Sequence, residues 1–130
     1  MNITINTNYP DLKTHFDQVL NTDKESFKTS NDEPTPIGCV EEMVDKIPNK
    51  FWEKDNLKIL DPCCGNGNFH VVIYNKLIKH HPSNIILNDM LHFNDINEMR
   101  IENVKKIFQE TINNLNITQT DFLLYDESQK

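Results

Sequence analysis

A glycine turn and two acidic residues are the groups in this chain best suited to hold a polar ligand. The stretch Asp61-Pro62-Cys63-Cys64-Gly65-Asn66-Gly67-Asn68-Phe69 contains two of the chain's three glycines. It follows the short apolar run Leu57-Lys58-Ile59-Leu60, and beyond it Phe69, Val72, Ile73 and Leu77 recur at helical spacing. Glycine permits the backbone conformations and the close ligand approach that a strand-to-helix turn of this kind requires. Asp95, in Phe93-Asn94-Asp95-Ile96-Asn97, falls where a second strand should end. A carboxylate there can accept hydrogen bonds from two neighbouring hydroxyls, and it equally suits the N-cap of the next helix. Asp121, in Asp121-Phe122-Leu123, closes an expected third strand and suits either a ligand acceptor or a turn.

Other reactive residues carry less. Cys63 and Cys64 with His80 and His81 lack zinc spacing, since adjacent ligands do not easily point into one tetrahedral site. Cys39 has no identifiable partner for nucleophilic chemistry and reads as buried filler. His15, His70 and His92 read as structural or surface residues, and Lys105-Lys106 as a solvated helix face. A nicotinamide-binding turn wants a third glycine where His70 stands, which counts against that ligand.

Composition narrows the setting. A chain of 130 residues is one domain at most. A net charge of −7 argues against gripping DNA phosphates unaided, because that needs clustered Lys and Arg. Three cysteines, two of them adjacent and too strained to pair with each other, fit a reducing compartment. No apolar run reaches the ~20 residues of a membrane span, and Met1–Asn6 lacks the features of a signal peptide. The expected location is the cytoplasm, or a host cytoplasm or nucleus.

The elements that must position these groups follow from apolar spacing. Leu12, Phe16, Val19 and Leu20 predict a helix stripe, and Asn21–Glu33 a polar loop, so residues 1–33 form an N-terminal segment. Residues 34–130 form the ligand-binding domain. Thr35 can cap a helix that begins at Pro36, buries Val40, Met43, Val44 and Ile47, and stops at Pro48. Asn49–Asn56 reads as a connector with Phe51 and Trp52 tucked against the core. A short helix at Ile85-Ile86-Leu87 leads to a strand at Leu91-His92-Phe93. A long helix then buries Ile101, Val104, Ile107, Phe108, Ile112 and Leu115, and a third strand begins near Ile117. Strands alternating with helices predict a parallel, doubly wound α/β sheet with its ligand at the carboxyl ends of the strands.

Taken together, the motifs resemble those of the S-adenosylmethionine-dependent DNA adenine-amino methyltransferases, over about residues 35–125. The fold this implies is the cofactor-binding half of a Rossmann-like class I methyltransferase. Asp61, Pro62, Cys63, Gly65 and Gly67 look like motif I, which wraps the methionine part of the cofactor. Asp95 and Ile96 look like motif II, the acid taking the ribose hydroxyls and the isoleucine packing on adenine. Asp121 and Phe122 are similar to motif III, whose acid accepts from the adenine amine. Thr35 and Pro36 look like motif X, which helps close the methionine pocket. Such enzymes occur in restriction-modification systems and large DNA viruses.

The family's next motif is an Asn-Pro-Pro-aromatic or Asp-Pro-Pro-aromatic tetrapeptide, which holds the flipped adenine. Here the prolines at 10, 34, 36, 48, 62 and 82 are never adjacent, and Lys130 follows soon after the third strand. The resemblance therefore implies a truncated methyltransferase, inactive alone, with a second chain supplying the catalytic and DNA-recognition half. Two other readings fit: a non-catalytic protein that keeps the fold, and a methyltransferase acting on RNA, protein or a small molecule. Without a fourth strand beside it, Leu57–Leu60 would lie at a sheet edge.

Overall fold

The computed structural model describes residues 3–22, 35–109 and 115–120. Helix α1 (Tyr9–Gln18) starts where the Asn8 side chain accepts the Asp11 N–H and Pro10 occupies the first turn. It buries Leu12 and Phe16. Val19, expected on the same stripe, is 53 % exposed, because the helix stops one residue earlier. A short 3-10 turn follows at Leu20–Thr22.

Helix α2 (Ile37–Asp45) is capped differently from expectation. Pro36, not Thr35, is the N-cap, and its carbonyl accepts from Cys39 and Val40. The first N–H, on Ile37, donates to Asp17 Oδ1 of α1 at 3.2 Å, so a neighbouring helix supplies the cap. Ile37, Val40 and Val44 are buried. Met43 and Ile47 are exposed instead, one beside that stripe and one beyond the helix end. Cys39 is exposed rather than filling the core. The expected connector contains a single-turn helix, α3 (Asn49–Trp52), which buries Trp52 against the edge of Phe51.

Strand β1 (Ile59–Asp61) leads through the glycine turn into α4 (Asn68–Leu77). Helix α4 buries His70, Val71, Val72, Ile73, Tyr74 and Leu77, and packs against both α1 and α2. A helix buried on several faces shows no clean apolar stripe. Helix α5 (Ser83–Ile85) runs into a π-helical turn, Ile86–Met90, and then into β2 (Leu91–Asn94). Helix α6 (Glu98–Phe108) is capped by Asn97, whose Oδ1 accepts from Met99 and Arg100. It buries Ile101, Val104, Ile107 and Phe108. Leu115 is buried outside the helix, and Ile112 lies outside the described residues.

Strand β3 (Ile117–Thr118) completes a three-stranded sheet in the order β1-β2-β3. Both pairings are parallel: Ile59 faces Leu91, and Phe93 faces both Asp61 and Ile117. The architecture is thus mixed α/β, as the alternation of elements predicted. Among the described residues β1 lies at an edge. Ile5, Leu12 and Phe16 join the same core as Val40, Trp52, Leu77, Phe93 and Phe108. The Ile5 N–H donates to the Ile107 carbonyl at 2.8 Å, tying the N-terminal segment to α6. Among the described residues no helix is long and apolar enough to cross a membrane.

Candidate functional site

The turn between β1 and α4 needs its glycines for two different reasons. Gly67, the N-cap of α4, has φ 97°, and a β-carbon there would lie 2.7 Å from Phe108 Cε2. Gly65 has φ 58°, and a β-carbon there would meet nothing within 4 Å. One glycine faces the core and the other faces open space, where a ligand can reach the backbone.

The carboxyl ends of β1 and β2 are stitched together at this turn. The Cys64 N–H donates to the Asn94 carbonyl at 2.8 Å, and the Gly65 N–H donates to Asp95 Oδ2 at 2.9 Å. Asp95 Oδ1 accepts the Asn97 N–H at 2.8 Å, and the Arg100 guanidinium lies 3.6 Å from Oδ2. Asp95 is only 3 % exposed. Asp95, expected to accept ribose hydroxyls or to cap the next helix, instead bonds to the turn, and its carboxylate faces inward. Two backbone N–H groups and a buried guanidinium stabilise the charge in that pose. The N-cap role belongs to Asn97.

Both ends of the turn carry a buried acceptor with no hydrogen-bond partner: Asp61 Oδ2 and Asn68 Oδ1. Asp61 Oδ1 accepts the Cys63 N–H at 3.2 Å. Burial pushes the Asp61 carboxyl above the usual carboxylate range, and the charge of Asp95 adds to this. Burial, followed by the charges of Asp95 and Asp61, pushes the Cys64 thiol far up, so it is no nucleophile near neutrality. Cys63 and Pro62 are exposed.

The remaining predicted residues surround this centre unevenly. Ile96 is 60 % exposed beside Asp95, leaving an apolar surface for a flat ring. Thr35 is half-buried, and its carbonyl accepts the Asn68 side-chain amide at 2.6 Å. Pro36 is exposed. Asp121 and Phe122 lie outside the described residues. Among the described residues no cluster of three or more His, Cys, Asp or Glu could hold a metal.

Asparagines form a part of the site that the motif pattern does not reveal. Asn94 Nδ2 donates to the carbonyls of Pro62 and Thr120, and its Oδ1 accepts from Thr118 Oγ1 and the Thr120 N–H. This side chain joins the ends of all three strands. Asn66 bonds to Leu20, Asn21 and Asn103. The available signal was their position, Asn66 within the glycine stretch and Asn94 beside Asp95, although asparagine there ordinarily signals only a turn. No protein-family model matches the sequence, and no curated protein matches it.

Proposed function

We propose that these residues are the S-adenosylmethionine-binding portion of a DNA adenine-amino methyltransferase, the sheet being the cofactor half of its class I fold. The observation that carries this reading is the hydrogen bond from Gly65 to Asp95. It joins the glycine turn to the acid ending the adjacent parallel strand, at the edge where such sheets hold ligands.

The residues present fit the cofactor at several points. Gly65 leaves backbone open to the methionine end. Asp61 Oδ2 and Asn68 Oδ1 are acceptors without a partner, and both would have to be uncovered to meet its amino group. Ile96 offers apolar surface to adenine. Asp95 would have to turn away from Gly65 to meet the ribose hydroxyls. When bound, the cofactor supplies an electrophilic methyl group, and the residues here bind and orient it. The 130 residues contain no Asn-Pro-Pro-aromatic tetrapeptide, so methyl transfer calls for residues from elsewhere, such as a second chain. That chain would also carry the DNA contact, given the net charge of −7.

Titration calorimetry with S-adenosylhomocysteine tests the reading. The chain should bind it, and Gly65→Val should weaken binding by about tenfold or more, which is ~1.4 kcal/mol. Asp95→Asn keeps an acceptor for Gly65 and is the gentler probe of the ribose contact. A folded chain that binds no S-adenosylhomocysteine, as expected of a non-catalytic protein that merely keeps the fold, defeats the proposal. Unaltered affinity in both variants defeats the site.

A further inference from the structure

The glycine turn is also held from the N-terminal side. Asn66, between the two glycines, is 1 % exposed. Its Nδ2 donates to the Leu20 carbonyl at 3.1 Å and to Asn21 Oδ1 at 3.4 Å, while its Oδ1 accepts from Asn103 Nδ2 at 3.0 Å. A single amide thus clamps the turn between α6 and the residues that follow α1. At its other end α1 is fastened to α2. Tyr9 Oη donates to Glu41 Oε2 at 2.9 Å, and Lys13 Nζ donates to Glu41 Oε1 at 2.8 Å. Asp17 Oδ1 accepts the Ile37 N–H, beside Thr35, whose carbonyl holds Asn68.

We infer that docking of α1 positions the glycine turn for its ligand, with Asn66 as the positioning residue that links the two. The physical reason lies in the turn itself. Two left-handed glycines give it more conformational freedom to lose than most segments. Bonds to Asn66 from both sides fix it before any ligand arrives, and preorganisation of that kind lowers the cost of binding. The coupling is reciprocal: undocking α1 loosens the turn by the same factor as opening the turn loosens α1. Glu41 is the place to pull, because both of its hydrogen-bond partners lie in α1.

The inference rests on the turn being a ligand site, yet its coupling is measurable without ligand. Amide exchange is followed on the whole 130-residue chain and on Glu41→Ala. Exchange at Gly65, Gly67 and Asn68 should quicken about 5-fold or more, while Phe93 and Val104 keep their rates. Glu41→Gln, whose one amide oxygen can still accept from Lys13 while its amide nitrogen donates to Tyr9 Oη, should restore much of the turn's protection. Asn66→Leu should quicken Leu20–Thr22 in turn. Unchanged turn amides in Glu41→Ala overturn the inference, and so does equal quickening at Phe93 and Val104, which marks global destabilisation. S-adenosylhomocysteine affinity, measured in parallel, should fall in Glu41→Ala by no more than that factor, because it follows the fraction of chains with the turn closed. A wild-type chain that binds none sinks the cofactor assignment alone, and the exchange data still decide the coupling.

Discussion

Gly67 and Phe108 meet so closely that a β-carbon on the glycine would sit 2.7 Å from Phe108 Cε2. Phe108 is fully buried and leans on the ring of Phe93, with centroids 4.8 Å apart, so it has little room to recoil. The glycine's φ of 97° adds strain for any residue with a side chain. Gly67→Ala should therefore cost about 2–5 kcal/mol, from roughly 1–2 of left-handed strain and about 1–3 of overpacking. Urea unfolding measures this. The cost should shrink in a Phe108→Leu background, and an equal cost in both backgrounds would place all the strain in the backbone.

His70 makes the fold sensitive to acid. It is buried in α4, with Nε2 2.8 Å from the His92 carbonyl and its ring edge-on to Phe93. A carbonyl only accepts, so Nε2 carries the proton of the neutral ring. Burial pushes the imidazole from its usual 6.5 down to about 4. As pH falls, the unfolded chain takes the proton first, so this stability is complete above about 6.5 and declines toward pH 4. The loss should reach about 3 kcal/mol, at 1.36 per unit. Urea midpoints across that range should fall for the wild type and stay flatter for His70→Leu. Parallel curves would mean that other groups govern acid unfolding.

The edge at β1 should govern association. Leu60 is 53 % exposed on a strand paired, among the described residues, with β2 alone. An open edge with an apolar side chain invites another chain. Light scattering should show concentration-dependent self-association, relieved by Leu60→Lys with stability changed by no more than about 0.5 kcal/mol. A wild type that stays monomeric at high concentration would show this edge to be covered.

Local patterns in the chain revealed the elements and the turn. Leu12 and Phe16, Val40 and Val44, and Ile101, Val104, Ile107 and Phe108 lie on buried faces because helical spacing is a local property. Val19 and Ile47 misled because an apolar residue near a helix end can fall on either side of the boundary, and Met43 because it lies beside the buried stripe of α2. Thr35 looked like a cap, but the competing acceptor, Asp17, comes from another helix and leaves no local trace. The inward pose of Asp95 depends on Gly65 and Arg100 arriving from two directions. The amides of Asn66 and Asn94 bond across distant segments, so only the assembled fold reveals them.

The clamp on Asn66 also bears on chemical ageing. Asn66-Gly67 is an asparagine-glycine pair, the dipeptide in which the following backbone nitrogen most readily attacks the side-chain carbonyl carbon and expels ammonia. In the fold that nitrogen's hydrogen is committed to the Cys64 carbonyl, and the amide is pinned by Leu20 and Asn103. The reaction is therefore slowed in the folded protein and released whenever the turn opens. Isoaspartate at this position would accumulate as a record of time spent open, and its kinked backbone would keep the turn from closing again.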